Sequence, residues 1–250
     1  MKAKNAILMV AGLALIASAC SKSDDPVEEV PALENEVKST EVAEILGDSC
    51  VFTSGLTAEE EAGLLYMREE EKLAHDVYVT FYEKYSHIVF RNISNSEAAH
   101  TKAIAYLLEG FELDDPALEA VGQFTNETLQ TMYSDLIAQG GNSLIEALKV
   151  GALIEEVDIK DLQHEIEIAE NETIKRVYGN LLRGSTFHLK AFTGILSRYG
   201  VTYVPTVLSQ GDFDVIVGTG STDDEDEDTD TSTGTFTPGT GVCDGTGPNA

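Results

Sequence analysis

Basic residues are scarce in this sequence. Against 44 aspartates and glutamates stand 16 lysines and arginines, a formal charge of −28 at pH 7. A chain this acidic repels phosphate backbones, which excludes nucleic acid as a partner. Cysteine is scarce too, with only Cys20, Cys50 and Cys243. No Cys-x-x-Cys pair occurs, so any electrons the protein needs must come from an external donor. No apolar run is long enough to span a membrane as a helix. Between Thr57 and Gly200 no alternating apolar–polar pattern argues for strands. The acidic tail STDDEDEDTDTSTGTFTPGTG lacks the central glycine and closing glutamate of an EF-hand loop, which leaves weak, nonspecific cation attraction.

The ends have their own character. MKAKNAILMVAGLALIASAC places two lysines before an apolar run from Ala6 to Ala17, then small residues before Cys20. This is a secretory signal pattern. The ASAC ending resembles a bacterial lipobox, which implies residues 1–19 as a lipoprotein signal peptide and Cys20 as the lipidated residue. The resemblance implies a cell-envelope location, lipid-anchored at the outer membrane or cell surface. Residues 20–54, polar and acidic with prolines, read as a tether. Residues 218–250 read as an acidic low-complexity tail. In an oxidising compartment Cys50 and Cys243 are a possible disulfide joining the two flanks.

The middle, residues 55–217, reads as one all-α domain. Thr57-Ala-Glu-Glu60 is a capping box, and the amphipathic run behind it reaches about Tyr85. A second helix extends from about Ser86 to Leu108, before Gly110. Residues 111–125 contain Pro116 and turn residues, and a short helix follows from about Glu127 to Gln139. Ser143-Leu-Ile-Glu146 reads as another capping box and opens a third long helix to about Ala169. Asn171 caps a fourth, Glu172 to Tyr199. The connection between the second and third long helices, about 33 residues, is far longer than a bundle turn requires. It is long enough to run back along a helix and set those two helices parallel, which predicts a four-helix bundle with a long crossover containing a short helix. An ordered cover segment follows Gly200.

Several polar residues fall among apolar ones at helical spacing. Glu71 shares a face with Leu64, Met67, Ala74 and Tyr78; His75 is one turn on. Glu97 and His100 share one with Ile93, Ile104 and Leu107. Glu155 is flanked by Leu148, Ala152, Ile159 and Leu162, and Asp158 follows at i+3. Ser185 and His188 line up with Leu181 and Phe192. Glu70 rivals Glu71, because Tyr66, Leu73 and Val77 beside it are apolar as well. Glu69 and Glu70 otherwise read as a solvated acidic face or as residues supporting the ligands from behind, and Glu156, beside Lys149, Lys160 and Gln163, as an outward residue. Burying so many unpaired carboxylates is prohibitive unless cations oppose them. Carboxylates and imidazoles without thiolates suit iron, manganese or zinc.

The segments MREEEKLAHDVY (67–78), NSEAAH (95–100), GALIEEVDIKDL (151–162) and GSTFHLKAF (184–192) together resemble an uncharacterised ferritin-like family, a domain of unknown function in the ferritin and rubrerythrin-like superfamily. The resemblance implies a ferritin-like four-helix bundle with a di-iron carboxylate centre. It implies Glu71, Glu97, His100, Glu155, Asp158 and His188 as metal ligands. His75, Tyr78 and Ser185 are the candidates for residues that touch and orient ligands, with His75 open as a ligand or a core histidine. Ser185 stands where the resemblance leads one to expect a glutamate, which leaves three alternatives: Asp158 replaces it, the centre holds one metal, or the centre is degenerate. Two functions follow as expectations. One is a lipid-anchored di-metal protein, iron first with Mn or Zn as alternatives, with ferroxidase or peroxide-reducing activity. The other is a metal-free helical scaffold displayed on the membrane.

Overall fold

The computed structural model describes residues 39–46, 52 and 55–218. The signal segment, Cys20, most of the tether, Cys50, Cys243 and all but the first residue of the tail lie outside them. Among the described residues there are seven helices and no strand: α1 (Ser39–Leu46), α2 (Ala58–Tyr85), α3 (Ile88–Gly110), α4 (Glu127–Gly140), α5 (Leu144–Ile168), α6 (Glu172–Arg198) and α7 (Gln210–Val217). α1 falls inside the segment read as a tether, where it packs on α3 and α6. That is a departure from expectation.

Local chemistry sets the boundaries. Thr57 Oγ1 accepts from the Glu60 N–H, and Glu60 returns the bond to the Thr57 N–H, a complete capping box. The same Glu60 accepts from the Glu170 and Asn171 N–H groups, tying the start of α2 to the α5–α6 turn. The second expected box is only half formed: Ser143 caps Glu146, whose carboxylate turns to Lys149 instead. Ser86 ends α2 in the left-handed region at φ 51°.

α2 and α3 form one hairpin, α5 and α6 the other; α2 packs on α5 and α3 on α6. Tyr78 lies against Gly151 while Gly63 lies against Glu165, so α2 and α5 are antiparallel. Ser96 meets His188 and Gly184 meets His100, so α3 and α6 are antiparallel too. The hairpin partners being antiparallel, α3 and α5 run parallel across the diagonal.

The crossover, residues 111–143, reaches this arrangement by climbing α2. Arg68 pairs with Asp115 at 2.9 Å. Glu69 accepts from the Thr125 and Asn126 N–H groups at 2.6 and 2.9 Å. Lys72 pairs with Asp76 and donates to the Ala120 and Gln123 carbonyls. Asp76 accepts from the Gly122 N–H at 2.8 Å, and Tyr85 donates to the Gly140 carbonyl at 2.6 Å. Glu69 is thus buried and fully used, not solvated. Loop backbone brought against a helix needs such partners, since its N–H and C=O groups lose water there.

A second strap, residues 201–209, is held by Glu156. This carboxylate is completely buried, and accepts from the Tyr203 hydroxyl and from the N–H groups of Thr206, Val207 and Leu208. The outward reading of Glu156 fails because its covering segment comes from 50 residues downstream, beyond the reach of any helical-face pattern.

The bundle core divides into two apolar layers. One gathers Phe81, Phe90, Leu148 and Phe192; the other gathers Leu64, Met67, Leu107, Leu162, Tyr178 and Leu181. Their burial, roughly 1.5–3 kcal/mol for each large side chain, holds the four helices together. On α2, α3 and α6 the gap between the layers falls at the polar residues, Glu71, then Glu97 and His100, then Ser185 and His188; on α5 Glu155 and Asp158 lie between Ile154 and Ile159 of the first layer.

Candidate metal centre

The polar layer brings residues from all four long helices into direct contact. His100 Nδ1 lies 3.1 Å from Glu71 Oε2 and 2.9 Å from Glu97 Oε2. His188 Nδ1 lies 2.7 Å from Glu97 Oε1 and 3.4 Å from Glu155 Oε2. The two imidazoles stack at 5.6 Å between centroids. Two sets of three ligand atoms result, Glu71–Glu97–His100 and Glu97–Glu155–His188, each within 4.8 Å of one another and all buried. Glu97 belongs to both, offering one oxygen to each side.

The supporting contacts orient these donors. Tyr78 donates to Glu155 Oε1 at 2.6 Å, leaving Oε2 turned to His188. Ser185 donates to Asp158 Oδ2 and also to the Leu181 carbonyl. Asp158 Oδ1 is left buried without a partner, as is Glu71 Oε1. Glu97 Oε1 and His188 Nδ1 also complete no hydrogen bond, although they are 2.7 Å apart. Their separation is short enough but their directions do not match, as when lone pairs converge on a third point. Buried acceptors left unpaired cost stability and call for an explanation.

The electrostatics match this crowding. Burial pushes the Glu71 carboxyl up to about 7, against the pull of His100. For Glu97 burial acts upward too, but His188 and His100 outweigh it and hold the carboxylate well below its usual range. Burial alone would depress His188; Glu97 and Glu155 overcome it and raise the imidazole to about 10. Burial, then the Glu71, Glu155 and Glu97 carboxylates, drives Asp158 well upward. Without another cation the layer stays near neutrality by holding protons on its imidazoles and some of its carboxyls.

Most residues singled out in the sequence meet here. Glu71, Glu97, His100, Glu155 and His188 form the two triads, with Asp158, Ser185 and Tyr78 against them. His75 stands apart: its Nδ1 bonds Asp76 at 2.9 Å on the crossover side of α2. Glu70, the rival of Glu71, belongs to neither triad, and both its oxygens are buried and unpaired. Burial and the carboxylates of Asp158, Asp161 and Glu71 push it toward the protonated form. Sequence reasoning passed over Ser96, whose hydroxyl lies 3.0 Å from His188 Nε2; it precedes Glu97 directly, and only the α3–α6 pairing shows its partner. Gly184 had a signal, a glycine one turn before His188. A Cβ there would lie 2.6 Å from His100 Nε2, so the imidazole occupies the space a side chain would fill.

The donors fit metal ions: convergent carboxylate oxygens and two imidazole Nδ1 atoms, several lacking other partners, with no thiolate.

Residues 60–220 match a family described as "Uncharacterized protein domain (DUF2202)". The chain is 43% identical over 165 residues to "Uncharacterized protein MJ0754" of Methanocaldococcus jannaschii, covering 66% of this chain and 89% of that one. The crystal structure of hypothetical protein MJ0754 from the same organism, there called Methanococcus jannaschii, superposes with a TM-score of 0.67 at 42% identity, covering 70% of this chain and all of that one.

Proposed function

The chain belongs to the DUF2202 family of uncharacterized protein domains, and we propose that its bundle is ferritin-like and holds a dinuclear carboxylate–histidine metal centre. One observation carries this reading: Glu97 is shared by two buried Glu/His triads, one oxygen to each. Glu71 and His100 would hold one ion, Glu155 and His188 the other, and Glu97 both. Asp158 supplies the fourth carboxylate that α6 lacks, and Ser185 holds it in place from the position of the missing glutamate. Iron is the metal we assign, with manganese and zinc permitted by the same donors.

A bound iron pair would supply redox chemistry toward oxygen or peroxide. The protein's own part is to place and protect it. Tyr78 fixes the Glu155 rotamer, Ser96 fixes the His188 ring from behind, and two apolar layers keep bulk water away. Electrons would come from an external donor. We further propose that the protein works as an envelope lipoprotein anchored through Cys20, on the strength of its signal and lipobox pattern.

A metal-free scaffold is the competing reading, favoured by the fact that each imidazole already contacts two carboxylates. Anaerobic iron loading of the purified protein separates the two. The metal centre predicts two irons per chain, an exchange-coupled signature in Mössbauer spectra, and a melting temperature that falls on chelation and recovers with iron. Absence of stoichiometric metal, with a melting temperature indifferent to chelator, would favour the scaffold.

A further inference from the structure

A cavity of about 440 Å³ lies between α1, α3 and α6, on the far side of the two imidazoles from their carboxylates. Glu44, Asn95, Ser96, His100, Asn180 and Arg183 contribute to its wall. The polar contacts of His100 are all made through Nδ1, so its Nε2 is left for the cavity, in the space that Gly184 keeps clear. Ser96, in the same wall, holds His188 Nε2. The cavity therefore touches the candidate centre through the rear of one histidine and the support of the other.

Its chemistry is two-signed. Among the described residues the Arg183 guanidinium has neither an ion pair nor a hydrogen bond, and the Glu44 carboxylate, lining the same cavity, does not pair with it. Asn180 is already committed through Nδ2 to the Ile45 carbonyl, which fixes α1 over the site. A simple anion would satisfy Arg183 but leave Glu44 unmatched, in a chain that already carries −28. A simple cation would leave Arg183 and the His100 N–H unmatched. A molecule bearing both a carboxylate and a protonated amine answers Arg183, the His100 N–H and Glu44 together. The volume lies within the usual range for small-molecule sites.

We propose that this cavity binds a small zwitterion of amino-acid type, its carboxylate directed to Arg183 and the His100 Nε2–H, its ammonium to Glu44. Binding itself does not depend on the metal centre. Only the consequence does: the ligand would act on one metal-holding imidazole from behind.

Calorimetric titration of the full chain with glycine, glutamine and phenylalanine tests the proposal, with sodium acetate and ethylamine as single-charge controls. At least one amino acid should bind saturably with one site per chain, and neither control should match it. Arg183→Ala and Glu44→Gln, both at exposed positions, should each weaken binding by about tenfold. The His100 side-chain ¹⁵N resonance should shift on saturation while that of the exposed His164 does not. The proposal is overturned by absence of saturable binding, by acetate binding as tightly as the amino acids, or by binding that survives both substitutions. Chelator-treated protein that still binds the amino acid retains this site whatever becomes of the metal reading, and metal-loaded protein that does not bind loses this site alone.

Discussion

Glu155 and Glu156 are consecutive on α5, and both are buried. Glu156 turns to the 201–209 strap and meets three backbone N–H groups and a phenol, a full set of donors. Glu155 turns into the bundle, where a phenol meets one oxygen and an imidazole shared with Glu97 meets the other. The same contrast runs along α2, where Glu69 caps the crossover while Glu71 faces the centre. Burial by itself therefore does not mark a functional carboxylate in this protein. What separates the two groups is the partner. Structural carboxylates meet backbone donors that have no other place to go, whereas those of the centre meet one another and two imidazoles.

The contrast can be broken in order of expected effect. Glu97→Gln takes a donor from both triads, and should reduce iron from two per chain to none in metal analysis; retention of either ion would remove Glu97 from its shared position. Glu156→Gln should leave the iron content unchanged and destabilise the fold by about 3 kcal/mol in denaturant titration, because buried donors of the strap lose their acceptor. A Glu156 variant that lost metal would show that the two carboxylates are not separate.

Asp76 gives a smaller, pH-dependent effect. Burial alone would raise it, but the His75, Lys72 and Gly122 hydrogen bonds together hold it below its ordinary value. A carboxylate depressed in the folded state contributes stability above its unfolded value, near pH 4, and that contribution disappears as pH falls through the folded value. Asp76→Asn should therefore cost on the order of 1–2 kcal/mol at pH 7 and much less at pH 2. A cost equal at the two pH values would remove the charge from the account. Smallest are Gly179→Ala and Gly194→Ala: nothing lies within 4 Å of a Cβ at either position. Each should stabilise α6 by about 0.4–1 kcal/mol, readable as a rise in melting temperature, because alanine loses less backbone entropy on folding.

Much of this was legible in the chain. Thr57, Ser143 and Asn171 mark helix starts because capping is local chemistry, settled within four residues. Glu71, Glu97, Glu155 and His188 could be placed on inner faces because an apolar stripe of period 3.6 identifies the face around them. The crossover length correctly allowed α3 and α5 to run parallel. Faces read from one helix at a time misjudged Glu69 and Glu156, whose covering segments are distant in sequence, and could not separate Glu70 from Glu71, one residue and a hundred degrees apart. The engagement of His75 with Asp76, away from the centre, was likewise invisible to spacing.

The sequence by itself determined the all-α class, the approximate limits of the four long helices, the excess of acidic over basic residues, and the set of carboxylates and imidazoles on the inner faces. Periodicity and capping reach only a turn or two along the chain, and these properties need no more. Only the tertiary structure decided that Glu97 stands between His100 and His188, that Ser185 bonds Asp158, and that His100 lines a cavity. Each of those depends on how helices far apart in sequence meet, and that is set by the packing of the two apolar layers above and below the polar one.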